Sequence, residues 1–198
     1  MKLIFATNNE HKAEEVKAVV NESIEIITLK EAGIDIDIPE PHDTLEANAT
    51  EKSRTIYNLV KANAAFAGCF SEDTGLEVNA LGGEPGVRSA RYAGEGRSFD
   101  KNIEKLLQKL GDKTDRTARF RAVISLIING NETQFEGVCE GRIIEEKRGI
   151  RGFGYDPVFV PAGSHKTFAE MNLEEKKTYS HRTRATEKLV AFLNNIEP

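Results

Sequence analysis

Cysteine and long hydrophobic runs are both scarce in this sequence of 198 residues. The two cysteines, Cys69 and Cys139, form neither a metal-ligand spacing nor a disulfide framework, and both lie in strand-like segments. They are therefore predicted to be buried, reduced thiols of a cytosolic protein. The apolar stretch Leu3–Ala6 is too short for a signal-peptide core, and no window of the sequence approaches a membrane span. We expect a soluble protein located in the cytoplasm.

An excess of positive charge is also missing. The 27 lysines and arginines are outnumbered by 32 aspartates and glutamates, which gives a formal net charge of -5. This balance argues against a protein whose main role is to coat nucleic acid, so any anionic ligand must be bound by local groups. The length and the 39% hydrophobic content suffice for one sizeable core, or for one core split into two lobes around a cleft.

Repeats, low-complexity tracts and obvious linkers are absent, and strand-like and helix-like segments alternate along the sequence. This alternation predicts one α/β domain over residues 1–198, built on a mixed sheet. The clearest element is a β-hairpin, in which Phe120–Ile128 and Glu132–Val138 are joined by Asn129–Asn131. The other predicted strands are Leu3–Ala6, Ile24–Leu29 and Pro157–Val160. The predicted helices are Glu10–Val20, a long helix from the turn at Pro39–Asp43 to about Asn63, Ser98–Leu110 and Thr183–Asn194.

The most distinctive polar feature is the pair Glu72 and Asp73, which follows a short apolar run and precedes Thr74 and Gly75. Adjacent side chains of a strand point to opposite faces, so the two carboxylates can share one target only if the strand ends or bends at Thr74–Gly75. A pair that converges in this way suits a hard divalent cation and its activated water. The alternative is that both residues are solvated turn residues after a strand.

The segment Thr7–Lys12 lies between the first predicted strand and the first predicted helix. Backbone N–H groups, amide side chains and a lysine come together there, as in a phosphate-binding cradle. The segment lacks the glycines of a Walker loop. Its alternative interpretation is an asparagine-rich helix N-cap beside a solvated lysine.

The segment Gly149–Pro157 is a loop punctuated by glycines that carries two aromatic side chains beside a carboxylate. Aromatic rings in such loops suit flat heterocycles, which bind by stacking. The alternative is a structural turn whose Phe153 and Tyr155 fill the core.

The segment Lys176–Arg182 precedes the last predicted helix and is rich in hydrogen-bond donors. These donors could bind the edge of a nucleobase or a phosphate. The alternative is a basic, exposed helix start capped by Ser180.

Seven different short motifs are spread along nearly the whole chain. Their order makes the set highly specific. They are Thr7–Asn9 with Lys12, Thr44–Ala49, Glu72–Leu76, Leu81–Val87, Ser89–Tyr92, Gly152–Pro157 and Ser180–Arg182. Through them the sequence resembles the non-canonical purine nucleoside triphosphate pyrophosphatases, the inosine triphosphate pyrophosphatase family. The resemblance implies an elongated mixed β-sheet flanked by helices, forming two lobes with the active-site cleft between them, usually as a homodimer.

The resemblance also implies a reaction and a cofactor. Water would cleave ITP, dITP or XTP between the α and β phosphates, which gives the monophosphate and pyrophosphate and cleanses the nucleotide pool. The reaction would require Mg²⁺, held by Glu46 and Asp73, with Glu72 at a further position of the metal site. Asp73 would also act as the proton acceptor, and a bound divalent cation would keep these carboxylates ionised.

The substrate contacts implied by the resemblance fall into two groups. The phosphates would be bound by Thr7, Asn8, Asn9, Glu10, His11, Lys12, Lys52 and Thr74. The base and sugar would be bound by Phe153, Gly154, Tyr155, Asp156, Lys176, His181 and Arg182. Donors of His181 and Arg182 aimed at the purine C6 oxygen would be left unpaired by the amine of adenine, which would disfavour ATP by roughly 10⁴-fold.

Alternatives remain open for Glu46 and for the function as a whole. Without the resemblance, Asp43–Glu46 fits a capping box with Asp43 as the N-cap and Glu46 as the third helical residue. A non-catalytic nucleotide- or RNA-binding module would explain the polar loops, but it would not need Glu46, Glu72 and Asp73 to converge. A metal-dependent phosphatase would release phosphate instead of pyrophosphate.

Overall fold

The computed structural model describes residues 1–196, and it confirms the predicted mixed α/β fold. The strands are β1 (Lys2–Phe5), β2 (Glu25–Thr28), β3 (Gly68–Val78), β4 (Pro85–Gly86), β5 (Thr117–Ile128), β6 (Asn131–Ile143) and β7 (Phe159–Pro161). The helices are α1 (Glu10–Lys17), α2 (Leu45–Val60), α3 (Phe99–Leu110), α4 (Leu173–Lys177) and α5 (His181–Asn194). The strand order in the sheet is β2-β1-β3-β5-β6-β7, with β4 paired to β3. The sheet is mixed because β1 is parallel to β2 and β3, whereas β4 is antiparallel to β3 and β7 to β6.

The predicted hairpin is confirmed, and the first predicted helix is too long. β5 and β6 are neighbours in the sheet, and the two residues between them, Asn129 and Gly130, have φ of 51° and 79°. Positive φ at both positions is what a two-residue hairpin turn requires. Helix α1 ends at Lys17. The N–H of Val19 donates a hydrogen bond to the carbonyl of Val16, three residues back, which is the tighter spacing of a 3-10 turn.

Strand β3 differs most from expectation. It neither ends nor breaks at Thr74–Gly75, and it continues to Val78. Gly75 serves another purpose, because a Cβ atom there would lie 2.7 Å from the carbonyl oxygen of Gly86 in β4. The glycine thus permits the close approach of a neighbouring backbone.

Smaller differences lie in the C-terminal part of the described chain. A 3-10 turn occupies Asp156–Val158, so β7 begins at Phe159 and not at Pro157. Helix α5 begins at His181, two residues before the predicted start. Helix α4 was not predicted, because its five residues are too few to reveal a helical period.

The chain divides into two compact units. The first unit comprises Met1–Asp73, Ala122–Gly137 and the residues from Arg182 onward, and the second comprises Thr74–Arg121 and Val138–His181. Both predicted free cysteines are buried, Cys69 in the first unit and Cys139 in the second. Within residues 1–196, no helix combines the length and the apolar character that crossing a membrane would take.

Helices of the first unit pack on both faces of its strands. One buried cluster joins Leu3 and Phe70 of the strands to Val16 of α1 and Leu189 of α5. A second cluster joins the alternate strand residues Ile4 and Cys69 to Ile56 of α2. Its buried members are Ile4, Ala6, Leu29, Ile38, Ile56, Val60 and Cys69. Because strand side chains alternate between faces, the residues of β3 that belong to the first unit, Gly68–Asp73, point in turn to α1 and α5 or to α2.

The second unit has its own core. Ile103 and Leu106 of α3 belong to a buried cluster that also contains Phe120 of β5 and Phe159 of β7. The Phe120 and Phe159 rings meet edge to face, with their centroids 4.7 Å apart. This core supports the loop that precedes β7, since Tyr155 is one of its buried members.

Candidate active site

The neighbouring carboxylates Glu72 and Asp73 occupy opposite faces of β3. Asp73 shares a face with Ser71, whose hydroxyl donates to the carbonyl of Ala49 in α2. Glu72 faces the other way, towards α1 and α5. Glu72 is 2% exposed and Asp73 is 5% exposed, so the interpretation as solvated turn residues is wrong. Because the strand does not bend there, each carboxylate has its own hydrogen-bond partners.

On the α2 face, Asp73 is held by a buried lysine. The ammonium of Lys52 donates to Asp73 Oδ1 at 2.7 Å, to the carbonyl oxygen of Glu72 at 2.9 Å and to Glu40 Oε1 at 2.9 Å. Two of these acceptors lie in β3, and the third lies in the loop before α2. This arrangement joins Asp73 and Glu40 through one shared cation.

The environment makes Asp73 a weaker acid than usual. Burial raises the pKa of Asp73 to about 6, although the charges of Lys52 and Lys12 act in the opposite direction. Burial also acts to raise the pKa of Glu40, but the Lys52 ammonium outweighs it and lowers this pKa to about 2. For Lys52, burial acts to lower the pKa, but Asp73 and Glu40 outweigh it and raise the pKa above its ordinary value. Asp73 is therefore the carboxylate better suited to take up a proton near neutral pH.

On the opposite face, Glu72 forms a paired ionic contact with Arg182. Nε of Arg182 donates to Glu72 Oε2 at 3.0 Å and Nη2 donates to Oε1 at 3.1 Å, while Nη1 donates to Glu15 of α1. Lys12 Nζ lies 3.5 Å from Glu72 Oε2. Burial acts to lower the pKa of Arg182, but Glu72 and Glu15 outweigh it and raise this pKa. The guanidinium predicted to bind the base is thus held between two carboxylates of the first unit.

The segment Thr7–Lys12 forms the entry to α1. Asn9 is the N-cap, because its side chain accepts a hydrogen bond from the N–H of Lys12 at 3.2 Å, and Thr7 Oγ1 accepts one from the N–H of Asn9 at 3.1 Å. The alternative interpretation was right that an asparagine, Asn9, is the N-cap. It was wrong that Lys12 is solvated, because the side chain of Lys12 is only 17% exposed. Burial lowers the pKa of Lys12, with Glu72 opposing this effect. A half-buried lysine at a helix N-terminus is placed to attract an anion.

The remaining residues of this segment lie nearer the surface. The side-chain amide of Asn8 donates to the carbonyl of Ile36 at 3.0 Å. Glu10 is exposed and lies 3.2 Å from the ammonium of Lys30, and His11 is exposed as well. Contact of these three side chains with phosphate stays a prediction.

Glu46 is not the third residue of a capping box. The N-cap of α2 is Thr44, whose hydroxyl accepts from the N–H of Ala47 at 3.2 Å, so the alternative interpretation with Asp43 as the N-cap is wrong. Glu46 is half-buried in the first turn of α2, where the positive end of the helix dipole stabilises its carboxylate. Its backbone carbonyl accepts from the side chain of Gln134 at 3.2 Å.

A divalent cation at this site would need ligands from the substrate as well as from the protein. Among the described residues 1–196, no three His, Cys, Asp or Glu side chains are grouped so that they alone could hold a metal ion. Magnesium usually binds to one or two carboxylates together with substrate phosphates, so a full protein cage is not required. Asp73 offers a buried carboxylate of this kind, and ligation by Glu46 and Glu72 stays a prediction.

In the second unit, Asp156 organises the aromatic loop. Its Oδ2 accepts from the N–H of Phe153 at 3.0 Å and from Lys176 Nζ at 2.6 Å. The same ammonium lies over the rings of Phe153 and Phe168, 5.3 Å and 5.1 Å from their centroids. Gly152 is required beside it, because its φ is 72° and a Cβ atom would overlap Asp156 Oδ2.

The other predicted base contacts are buried to different degrees. Tyr155 does fill the core, and its hydroxyl donates to the carbonyl of Ser89 at 2.9 Å, whereas Phe153 is only half-buried. His181 is 3% exposed and stacks on Phe120 with 4.7 Å between ring centroids. The alternative of an exposed basic helix start is wrong for this segment, whose Lys176, Ser180, His181 and Arg182 are buried. The remaining two predicted contacts are Gly154, which has a φ of 61°, and Thr74, which is half-buried in β3.

Comparison with known proteins places the chain in a family. The sequence model of a protein family, described as the Ham1 family, matches residues 3–192. The chain belongs to the Ham1 family. It is 47% identical over 194 residues to the dITP/XTP pyrophosphatase of Christiangramia forsetii, covering 98% of this chain and 100% of that protein. It is 48% identical over 193 residues to the dITP/XTP pyrophosphatase of Porphyromonas gingivalis, covering 97% of each.

A solved Ham1 structure supports the same assignment. The fold matches that of a HAM1 protein from Coxiella burnetii with a TM-score of 0.88 and 34% sequence identity, over 99% of this chain and 100% of that one. The family predicted from the ordered motifs is therefore confirmed.

Sequence reasoning missed two acidic residues that this Ham1 family member brings to the site, Glu15 and Glu40. A signal for Glu15 was available, since it lies one helical turn after Lys12 on the same face of α1. The signal for Glu40 was its position between Pro39 and Pro41, in a stretch that was interpreted only as a turn.

Proposed function

We propose that this chain hydrolyses non-canonical purine nucleoside triphosphates, namely ITP, dITP and XTP, to the monophosphate and pyrophosphate with the aid of Mg²⁺. The observation that carries the proposal is Asp73, a buried carboxylate with a raised pKa that is held by Lys52 in a member of the Ham1 family. The relatives named above act, by their names, on dITP and XTP. A carboxylate with a raised pKa, such as Asp73, is suited to accept a proton, and the lysines beside it suit a polyanionic substrate.

In the proposed reaction Asp73 accepts the proton of the attacking water. The water oxygen forms a bond to the α-phosphorus, and the bond from that phosphorus to the bridging oxygen of pyrophosphate breaks. Thr7–Asn9, Lys12 and the N-terminal N–H groups of α1 bind the phosphates. When bound, Mg²⁺ would be held by Asp73 and Glu46, where it would lower the pKa of a coordinated water and offset charge on the leaving group.

We assign recognition of the base to residues of the second unit. The half-buried ring of Phe153 offers a stacking surface, and Lys176 and Asp156 hold it in place. His181, which stacks on Phe120 of the same unit, is the candidate donor to the purine C6 oxygen. Such a donor would favour hypoxanthine and xanthine over adenine.

A panel of nucleoside triphosphates tests this function. ITP, dITP, XTP, GTP and ATP are incubated with the protein and Mg²⁺, and pyrophosphate and phosphate are measured separately. We expect equimolar pyrophosphate and monophosphate, with ITP, dITP and XTP preferred over ATP and GTP. Asp73→Asn should lower kcat on the order of 10³-fold, whereas the exposed control Asp37→Asn should not change it.

Other outcomes would overturn the proposal. Phosphate as the product would indicate a phosphatase, and binding without turnover would indicate a non-catalytic module. Undiminished activity of Asp73→Asn would remove the assigned proton acceptor. The homodimer implied by the family resemblance and the cytoplasmic location inferred from the sequence stay predictions.

A further inference from the structure

The aromatic loop, Gly149–Pro157, contacts a short turn that lies later in the second unit. The turn is a 3-10 turn over Phe168–Glu170. The carbonyl oxygen of Ala169 in this turn accepts from the N–H of Ile150 at 3.2 Å and from the N–H of Arg151 at 3.1 Å. A carbonyl oxygen has two lone pairs, so one acceptor can bind both residues. The turn therefore holds the start of the loop by its backbone.

Gly149 shows how closely the loop approaches the turn. Its φ is 82°, and a Cβ atom there would lie 2.3 Å from the carbonyl carbon and oxygen of Ala169. Only glycine permits this approach. Directly before it, the N–H of Arg148 donates to the carbonyl of Pro157 at 2.8 Å, which closes the two ends of the loop. The position of the loop thus depends on the backbone of Arg148 and on the turn.

Thr167 is the side chain that joins the turn to the loop. It is fully buried, and its hydroxyl donates to the carbonyl of Arg148 at 2.8 Å. Its backbone N–H donates to Glu170 Oε2 at 2.7 Å, which fixes Thr167 at the start of the turn. The next residue, Phe168, is fully buried in the core of the second unit. The Thr167 hydroxyl therefore connects this core to the residue at which the loop begins.

We propose that Thr167 is a positioning residue for binding of the purine base, because it fixes the start of the loop that carries Phe153. This inference rests on the proposed function, since it takes the ring of Phe153 as the surface on which the base stacks. Asp156 holds the same loop from within, through the N–H of Phe153 at 3.0 Å. Without the Thr167 hydroxyl, the carbonyl of Arg148 loses its donor and the loop is less ordered. Binding of the base must then restore that order, which weakens the binding.

Three variants test the role of Thr167. Thr167→Val keeps the shape of the side chain without the hydroxyl, and Thr167→Ser keeps the hydroxyl. Thr117→Val is the matched control, an exposed threonine of the same unit whose hydroxyl donates to Asp115 at 2.6 Å. With ITP as substrate, we expect Thr167→Val to raise KM about 10-fold while kcat changes less than about 3-fold, because it removes one interior hydrogen bond away from the reacting phosphates. Thr167→Ser should recover most of the lost affinity, and Thr117→Val should match the wild type.

The two products separate positioning of the loop from a general loss of structure. IMP carries the base, whereas pyrophosphate carries none, so only IMP depends on the aromatic loop. Both are measured as inhibitors of ITP hydrolysis. We expect the inhibition constant of IMP to rise about 10-fold for Thr167→Val and that of pyrophosphate to stay unchanged. An equal rise for both products would show a merely structural role and overturn the inference, as would unchanged constants for both.

A second variant covers the case in which Thr167→Val does not fold, as judged by circular dichroism. Glu170→Ala then decides, because it removes the acceptor of the Thr167 N–H from a half-buried position. It must raise the inhibition constant of IMP and leave that of pyrophosphate unchanged. Wild-type protein that releases no pyrophosphate would refute the proposed function, whereas an active wild type with a normal Thr167→Val would refute only the role of Thr167.

Discussion

Each of the two units buries a cation beside predicted site residues, but the two cations are held differently. Arg182 of the first unit binds Glu72 and Glu15, which lie 110 and 167 positions away in the chain. Lys176 of the second unit binds Asp156, only 20 positions away, and lies against two aromatic rings. The first arrangement joins β3, α1 and α5, whereas the second fixes a loop. A change at Arg182 should therefore affect the stability of the fold, and a change at Lys176 should act more locally.

The largest effect is expected for Arg182→Ala. The substitution leaves two buried carboxylates, Glu72 and Glu15, without their shared cation, and breaking a buried ion pair in this way costs about 3 to 5 kcal/mol. Urea unfolding followed by circular dichroism measures the loss.

Arg54→Ala is the control for this measurement. Arg54 also binds a glutamate, Glu132 at 3.0 Å, but its side chain is 66% exposed. Exposed pairs contribute about 0 to 1 kcal/mol. An equal loss for the two arginine variants would show that burial does not distinguish the two contacts.

A smaller effect is expected for Lys176→Met. The methionine keeps the apolar contacts with Phe153 and Phe168, while Asp156 keeps the N–H of Phe153 but loses the ammonium. Breaking a buried ion pair costs about 3 to 5 kcal/mol, and the loss here should fall at the lower end, because Asp156 keeps the N–H of Phe153 as a partner. The measurement is the same urea unfolding experiment.

A second variant shows whether the loss arises from the charge left on Asp156. Lys176→Met combined with Asp156→Asn removes both charges and keeps an acceptor for the backbone N–H of Phe153. We expect the double variant to be more stable than Lys176→Met alone. A double variant that is less stable by the sum of both changes would contradict a local ion pair.

The sequence predicted the elements whose hydrophobic period is long enough to recognise, and it predicted the site less completely. The hairpin turn at Asn129–Gly130 followed from local turn chemistry. The course of β3 did not, because the reason for Gly75 is the carbonyl of Gly86, which only the paired strands bring near. Glu40 was missed for the same kind of reason, since its partner Lys52 becomes its neighbour only in the folded chain.

The finest test of the comparison contrasts two glycines of the loop in the second unit. Gly152 and Gly154 both have positive φ, of 72° and 61°, so alanine is strained at either position by about 1 to 2 kcal/mol. Only at Gly152 would the new Cβ overlap Asp156 Oδ2, whereas nothing lies within 4 Å at Gly154. We therefore expect Gly152→Ala to cost about 1 kcal/mol more than Gly154→Ala, because the bond from the N–H of Phe153 to Asp156 is lost. KM for ITP should rise more for Gly152→Ala, and equal effects of the two variants on stability and KM would show that Asp156 does not organise this loop.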